Sequence, residues 1–215
     1  MSVLGLLTTG SDVLTVSDRD RILQAMADCC ARSGYPETTV KDVLERAGVE
    51  RESFTIHFSG KEDCALAALN KMVSESLARL SMASSKSEEA LERRKFEGQA
   101  FLELLASRPS FANLAFIESR QCGSKRMHDA YESAARVLAL MMERLGADGS
   151  GPSADSRAAL GAAEAVIRRE LATGRAARLP ELLPDFVYAV LVPFVGQREA
   201  LRQARLAARM AAEEE

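Results

Sequence analysis

The chain has 215 residues and a formal net charge of −3, with 47% hydrophobic, 27% charged and 5% aromatic residues. Alanine supplies 35 positions, Trp is absent and Gly with Pro number 19, a mix that suits helices and excludes β-sandwiches, barrels, collagen-like fibres and disordered chains. The slight acidity offers no bulk attraction to nucleic acid or to anionic membranes.

Residues 1–16 (MSVLGLLTTGSDVLTV) are mildly apolar but carry no Lys or Arg and no A-x-A site, so they read as a loose N-terminal arm and not a secretory signal. Ser17 followed by Asp18-Arg19-Asp20 is a helix start, with acidic groups where the helix dipole favours them. Ile22, Met26, Cys29 and Cys30 recur at helical spacing, and Gly34 is a C-terminal stop. After the Tyr35-Pro36 turn, Thr38 caps a second, short helix with an apolar face of Val40, Val43, Leu44 and Ala47, ended by Gly48. A third runs from about Arg51 to Phe58, with Phe54 and Phe58 four residues apart on one face.

From Lys61 the pattern changes to long amphipathic helices at roughly 61–83, 88–107, 110–121, 124–146, 153–174 and 181–210. Breaks fall at Ser84 to Ser87, Arg108-Pro109, Gly123-Ser124 and Gly146 to Ser153, and Pro193 is expected to kink the last helix. Arg198, Arg202, Arg205 and Arg209 form the solvated face of that helix, ahead of an acidic Glu213-Glu214-Glu215 end. Cys29, Cys30, Cys64 and Cys122 form no CxxC pair and read as reduced, buried thiols of a cytoplasmic protein. No run reaches the ~18 apolar residues of a membrane span. The fold class expected is therefore all-α. A helix-turn-helix domain over 17–60 follows the arm at 1–16, and a larger helical domain covers 61–215.

The segment TTVKDVLERAGVERESFTIHF, residues 38–58, has the organisation of a helix-turn-helix, whose second helix presents its N-terminal residues to the major groove of DNA. Val43, Ala47, Val49, Phe54 and Phe58 give two helices too short to stand alone a core shared with the first helix. Arg51, Glu52, Ser53, Thr55, Ile56 and His57 are left outside that core. An exposed isoleucine among hydrogen-bonding residues has a natural place beside a thymine methyl group.

Residues 18–69 resemble the N-terminal DNA-binding domain of TetR-family transcriptional regulators. The stretches that carry the likeness are RDRILQAM, SGYPETTVKDVLERAGV and RESFTIHFSGKEDCALAAL. The resemblance implies phosphate and groove-edge contacts for Thr39 and Lys41, and base reading by Arg51, Glu52 and Ser53. It implies a thymine or sugar contact for Ile56, and phosphate contacts for His57 and Lys61. Thr55 stands where the family usually has a tyrosine phosphate clamp, and Ser59-Gly60 where it usually has Pro-Ser, which loosens that junction. Residues 18–61 hold seven basic groups against eight acidic ones, a net of −1, so few phosphates are neutralised and non-specific DNA affinity is expected to be weak.

The resemblance further implies a second domain with a small-molecule pocket and a dimer built from its last helices. Phe96, Phe101, Phe111, Phe116, Met127, Tyr131, Met141 and Met142 are the candidate lining, with Glu118 as a candidate polar anchor, and such a lining favours an apolar ligand. Val166, Ile167, Leu171, Phe186, Val187, Val190, Leu191 and Phe194 form a broad apolar surface. Part of it faces the domain's own core and the remainder a second copy, as a palindromic site requires. No Ser/His/Asp or Cys/His set, Gly-rich phosphate loop or metal-ligand cluster is present, so no enzyme, cofactor or metal is expected.

The function expected is a homodimeric cytoplasmic repressor, bound to a palindromic double-stranded operator and released by a small-molecule effector. The alternatives are a helical ligand-binding or protein-interacting dimer with little DNA affinity, and a thiol switch.

Overall fold

The computed structural model of the protein describes residues 17–142 and 153–213. The N-terminal arm and the 143–152 break, with the end of the helix expected at 124–146, lie outside the described residues. Those residues are helical with no strand among them.

Helix α1 (Asp18–Ser33) begins at Ser17, whose hydroxyl accepts the Asp20 amide at 3.1 Å, and ends at Gly34 with φ 81°. It buries Ile22, Leu23, Met26 and both adjacent cysteines, because one side packs on the short helices and another on the larger body. Helix α2 (Val40–Ala47) is capped by Thr39, not Thr38. The Thr39 hydroxyl accepts the Asp42 amide while the Asp42 carboxylate accepts the Thr39 amide, a reciprocal capping box. Thr38 is buried one position earlier and donates its hydroxyl to the Gly34 carbonyl at 2.8 Å. Gly48, in the left-handed region at φ 63° and ψ 44°, makes the turn to α3 (Arg51–His57). Val43, Phe54 and Phe58 are buried in the small core, and burying each of these phenylalanines contributes about 2 kcal/mol. Arg46 binds Asp28 at 2.7 Å and ties α2 to α1.

Helix α4 (Lys61–Ser84) leads from this domain into the body. The Ser59-Gly60 junction is closed despite its unusual residues. The Asp63 carboxylate accepts both the amide and the hydroxyl of Ser59, at 3.0 and 3.2 Å. The body comprises α5 (Ala90–Ser107), α6 (Pro109–Asn113), α7 (Ser119–Gln121), α8 (Lys125–Met142), α9 (Ala154–Ala172) and α10 (Leu183–Glu213).

Two expectations are corrected. The stretch 110–121 is not one α-helix, because a π-helical turn, Leu114–Glu118, separates α6 from α7. The last helix begins at Leu183 after a 3-10 turn over Pro180–Leu182, and its non-helical residue is Gly196, not Pro193. Proline removes one backbone hydrogen bond, but φ 75° with ψ 168° is open only to a residue without Cβ.

Candidate nucleic-acid interface and ligand cavity

The outer face of α3 consists of Arg51, Glu52, Thr55, Ile56 and His57, all exposed, with Ile56 at 78%. Phe54 and Phe58 on the opposite face anchor the helix, their rings 5.5 Å apart. The other expected contact residues are partly engaged within the domain. Ser53 donates to Asp18 at 2.7 Å, and this bond is the largest influence holding the Asp18 carboxyl below its ordinary pKa. Thr55 turns its hydroxyl back to the Glu52 carbonyl at 2.9 Å. Thr39 serves the α2 cap, and Lys41 lies 3.6 Å from Glu45 with both side chains open to solvent. Lys61 departs furthest from its expected place. Its ammonium donates to the Tyr35 and Pro36 carbonyls at 3.0 and 3.2 Å and lies 4.4 Å from the Tyr35 ring centre, bracing the α1–α2 loop.

A cavity lies in the body between α4, α5, α8, α9 and the first half of α10. Of the candidate lining residues, Phe101, Phe116, Tyr131, Met141 and Met142 border it. Four candidates do not. Met127 and Phe111 are buried core residues whose volume is taken up by helix packing, and Phe96 lies under the Lys86 ammonium at 5.3 Å. Glu118 points away from the cavity and accepts the Tyr35 amide hydrogen at 2.7 Å.

Arg94, Glu97 and Glu164 also stand in the cavity wall and are not among the sequence candidates. Arg94 and Glu97 form a salt bridge with both side chains 7% exposed; Glu97 also accepts the Ser84 hydroxyl, and Arg94 donates to the Met141 carbonyl at 2.9 Å. Tyr131 donates to Glu164, which Arg120 neutralises at 3.1 Å. Burial, then Glu164, push the Tyr131 hydroxyl pKa upward. The signal for Arg94 was its spacing: it shares one helix face with Gly98, Phe101 and Leu105.

Of the residues expected at a dimer interface, Ile167, Leu171, Val187, Val190 and Leu191 are buried within the protomer itself. Ile167 and Val190 line the cavity, and α10 packs on both α5 and α9, so packing inside one chain already accounts for their burial; Val166 and Phe194 are half-buried. Among the described residues no group of three or more His, Cys, Asp or Glu could hold a metal ion, and no helix is long and apolar enough to cross a membrane.

A three-helix domain with an exposed second helix of its helix-turn-helix, set on a helical body that encloses an apolar cavity, is the build of a DNA-binding regulator. Residues 22–68 match the family model described as bacterial regulatory proteins, tetR family, and the N-terminal domain of this chain belongs to that family. The fold of the described residues is similar to that of solved regulators. The fatty acid degradation regulator FadR from Bacillus halodurans has a TM-score of 0.69 at 16% identity, over 82% of this chain and 98% of that one. FadR from Bacillus subtilis, solved in complex with stearoyl-CoA, has a TM-score of 0.68 at 16% identity, over 82% of this chain and 97% of that one. The ketosteroid transcriptional regulator KstR2 of Mycobacterium tuberculosis has a TM-score of 0.53 at 17% identity, over 90% and 94%. No sequence among the curated proteins matches the chain.

Proposed function

We propose that the protein is a cytoplasmic, homodimeric repressor that holds a palindromic operator through α3 and lets it go when a small molecule fills the cavity. The observation that carries this reading is the exposed row on α3. Arg51, Glu52 and Ile56 lie exposed on one short helix, and together they offer a bidentate donor, an acceptor and an apolar surface, the set that base edges and a thymine methyl in the major groove present partners for. Arg51 grips guanine O6 and N7, Glu52 accepts from cytosine N4, and Ile56 meets a thymine methyl. Dimer contacts come from the outer faces of α9 and α10, with Val166 and Phe194 among them. Footprinting the purified protein on DNA flanking its own gene tests the reading. Two protected half-sites one helical turn apart are expected, and no specific protection at low salt overturns it.

A second reading, a ligand-binding dimer with little DNA affinity, draws support from the net charge of −1 over residues 18–61 and from the Ser53–Asp18 bond. Arg51→Ala separates the two, because only a base reader loses sequence preference on that change.

A further inference from the structure

The cavity is elongated, and its two ends differ chemically. Its α4 wall runs from Leu69 to Leu80 and its α8 wall from Tyr131 to Met142. These helices run in the same direction, since Glu62 near the start of α4 binds Ser124 and Arg126 at 2.6 and 2.9 Å, at the start of α8. Near their other ends, Ser84 on α4 and the Met141 carbonyl on α8 are joined through Glu97 and Arg94 of α5. At 1.5 Å of rise per residue, either wall is ~16 Å long. An extended alkyl chain advances roughly 1.3 Å per C–C bond of about 1.5 Å, so about a dozen carbons span it.

At the Tyr131 end the polar atoms are internally matched, with Glu164 held by both Arg120 and Tyr131. At the other end Arg94, Glu97 and Met141 are a shared wall. Their inner side faces the tunnel, and their outer side faces a second recess lined by Ser81, Ser84, Ser85 and Arg93. That recess carries two guanidinium groups against one carboxylate, which Arg94 and Ser84 already occupy. A buried ion pair is a costly wall for an apolar cavity, and an apolar pair of similar volume would close it at least as stably. It is explained if the wall must open for, and then hold, a charged group.

We propose that the cavity takes an anionic amphiphile, its alkyl tail along α4 and α8 and its acidic head in the serine-lined recess beside Arg93 and Arg94. This assignment rests on reading the cavity as the effector site. On binding, Arg94 shares its donors between Glu97 and the head group, while the recess hydroxyls and Arg93 supply the remaining hydrogen bonds. The tail displaces no charge, because the wall between Glu97 and Tyr131 is apolar apart from Ser76, whose hydroxyl donates to the Met72 carbonyl of its own helix.

The test is calorimetric titration of the full chain, below micelle-forming concentrations, with dodecanoate, dodecyl phosphate, dodecanol and dodecyltrimethylammonium. Both anions are expected to bind about tenfold or more tightly than the alcohol, and the cation more weakly than either. Shortening the carboxylate by two methylenes is expected to cost roughly tenfold. Arg93→Ala, which leaves the buried pair intact, should remove the advantage of the anions and leave dodecanol binding unchanged. Equal binding of alcohol and anions, preference for the cation, indifference to chain length, or no binding of any amphiphile overturns the proposal. These titrations contain no DNA, so their failure leaves operator binding standing, and an absent operator leaves their result standing.

Discussion

The Glu118 carboxylate accepts the Tyr35 amide hydrogen at 2.7 Å, joining the π-helical turn of the body to the loop between α1 and α2 of the helix-turn-helix domain. The Tyr35 carbonyl is held at the same place by Lys61, so this loop is clamped from two elements. Two residues of the same π turn, Ala115 and Phe116, line the cavity. The wall of the cavity and the attachment of the DNA-reading unit are therefore neighbours on five residues of chain. Removing the carboxylate leaves a partly buried amide without its acceptor. Glu118→Ala is expected to cost about 1–2 kcal/mol in denaturant unfolding, and an unchanged midpoint would show the bond to be dispensable.

Arg51→Ala touches no core residue, since Arg51 is exposed at the start of α3. It is expected to leave the melting temperature in place and to weaken operator binding in a gel shift by about 1–3 kcal/mol, with relaxed preference at one base pair. A uniform loss across all sequences would mark Arg51 as a phosphate contact.

The thiols bear on the switch alternative. Burial raises the Cys29 thiol above its ordinary pKa and pushes Cys30 and Cys64 up to about 12, so the nucleophilic thiolate is scarce at all three. Cys122 alone is partly exposed. Iodoacetamide on the folded protein should label one cysteine, and the labelled protein should bind operator as before. Rapid labelling of Cys30 or Cys64 without unfolding would contradict this burial.

Glu170 closes the end of α9, with Arg175 at 2.8 Å and Arg169 at 3.0 Å from its carboxylate. Hydrogen bonds from Arg175 first, then Arg169, hold its pKa at about 2. A carboxylate depressed on folding contributes stability above its unfolded pKa and loses it as pH falls through the folded value. Glu170→Gln should therefore lower the melting temperature at neutral pH. The gap to the unmodified protein should shrink from the ordinary carboxylate range down to about 2, and a gap independent of pH would refute the ion pair's role.

Gly196 stands at φ 75° and ψ 168°, a region that side chains with Cβ avoid. Nothing lies within 4 Å of where a Cβ would sit, so any loss in Gly196→Ala comes from the backbone alone. The expected cost is about 1–3 kcal/mol in denaturant unfolding; no loss would mean that the break in α10 relaxes into continuous helix.

The helix-turn-helix was legible because its signals are local. Gly48 at the turn and Val43, Phe54 and Phe58 on inward faces all lie within sixteen residues, although the cap itself falls on Thr39 and not on Thr38. The cavity was legible only by halves. An apolar residue that fills a core and one that borders a hole follow the same periodicity, so nothing in the pattern separates Phe111 and Met127 from Phe101 and Phe116. Apolar runs at 166–171 and 187–194 do not separate core from dimer face for the same reason, since a helix buried within its own chain is as apolar as one buried by a partner. Glu118 was beyond reach of any periodicity, because its partner lies 83 positions away in sequence.

The π turn at 114–118 is what an α-helix becomes when one extra residue is accommodated without moving its ends. Deleting one residue there would restore regular winding with α6 and α7 in place, and would change the angle between side chains within the turn by about 100°. Phe116 and Glu118 could then no longer keep both the cavity wall and Tyr35. The irregularity is thus a length constraint on the chain: the residue count of this turn is tied to the cavity wall and to Tyr35 together.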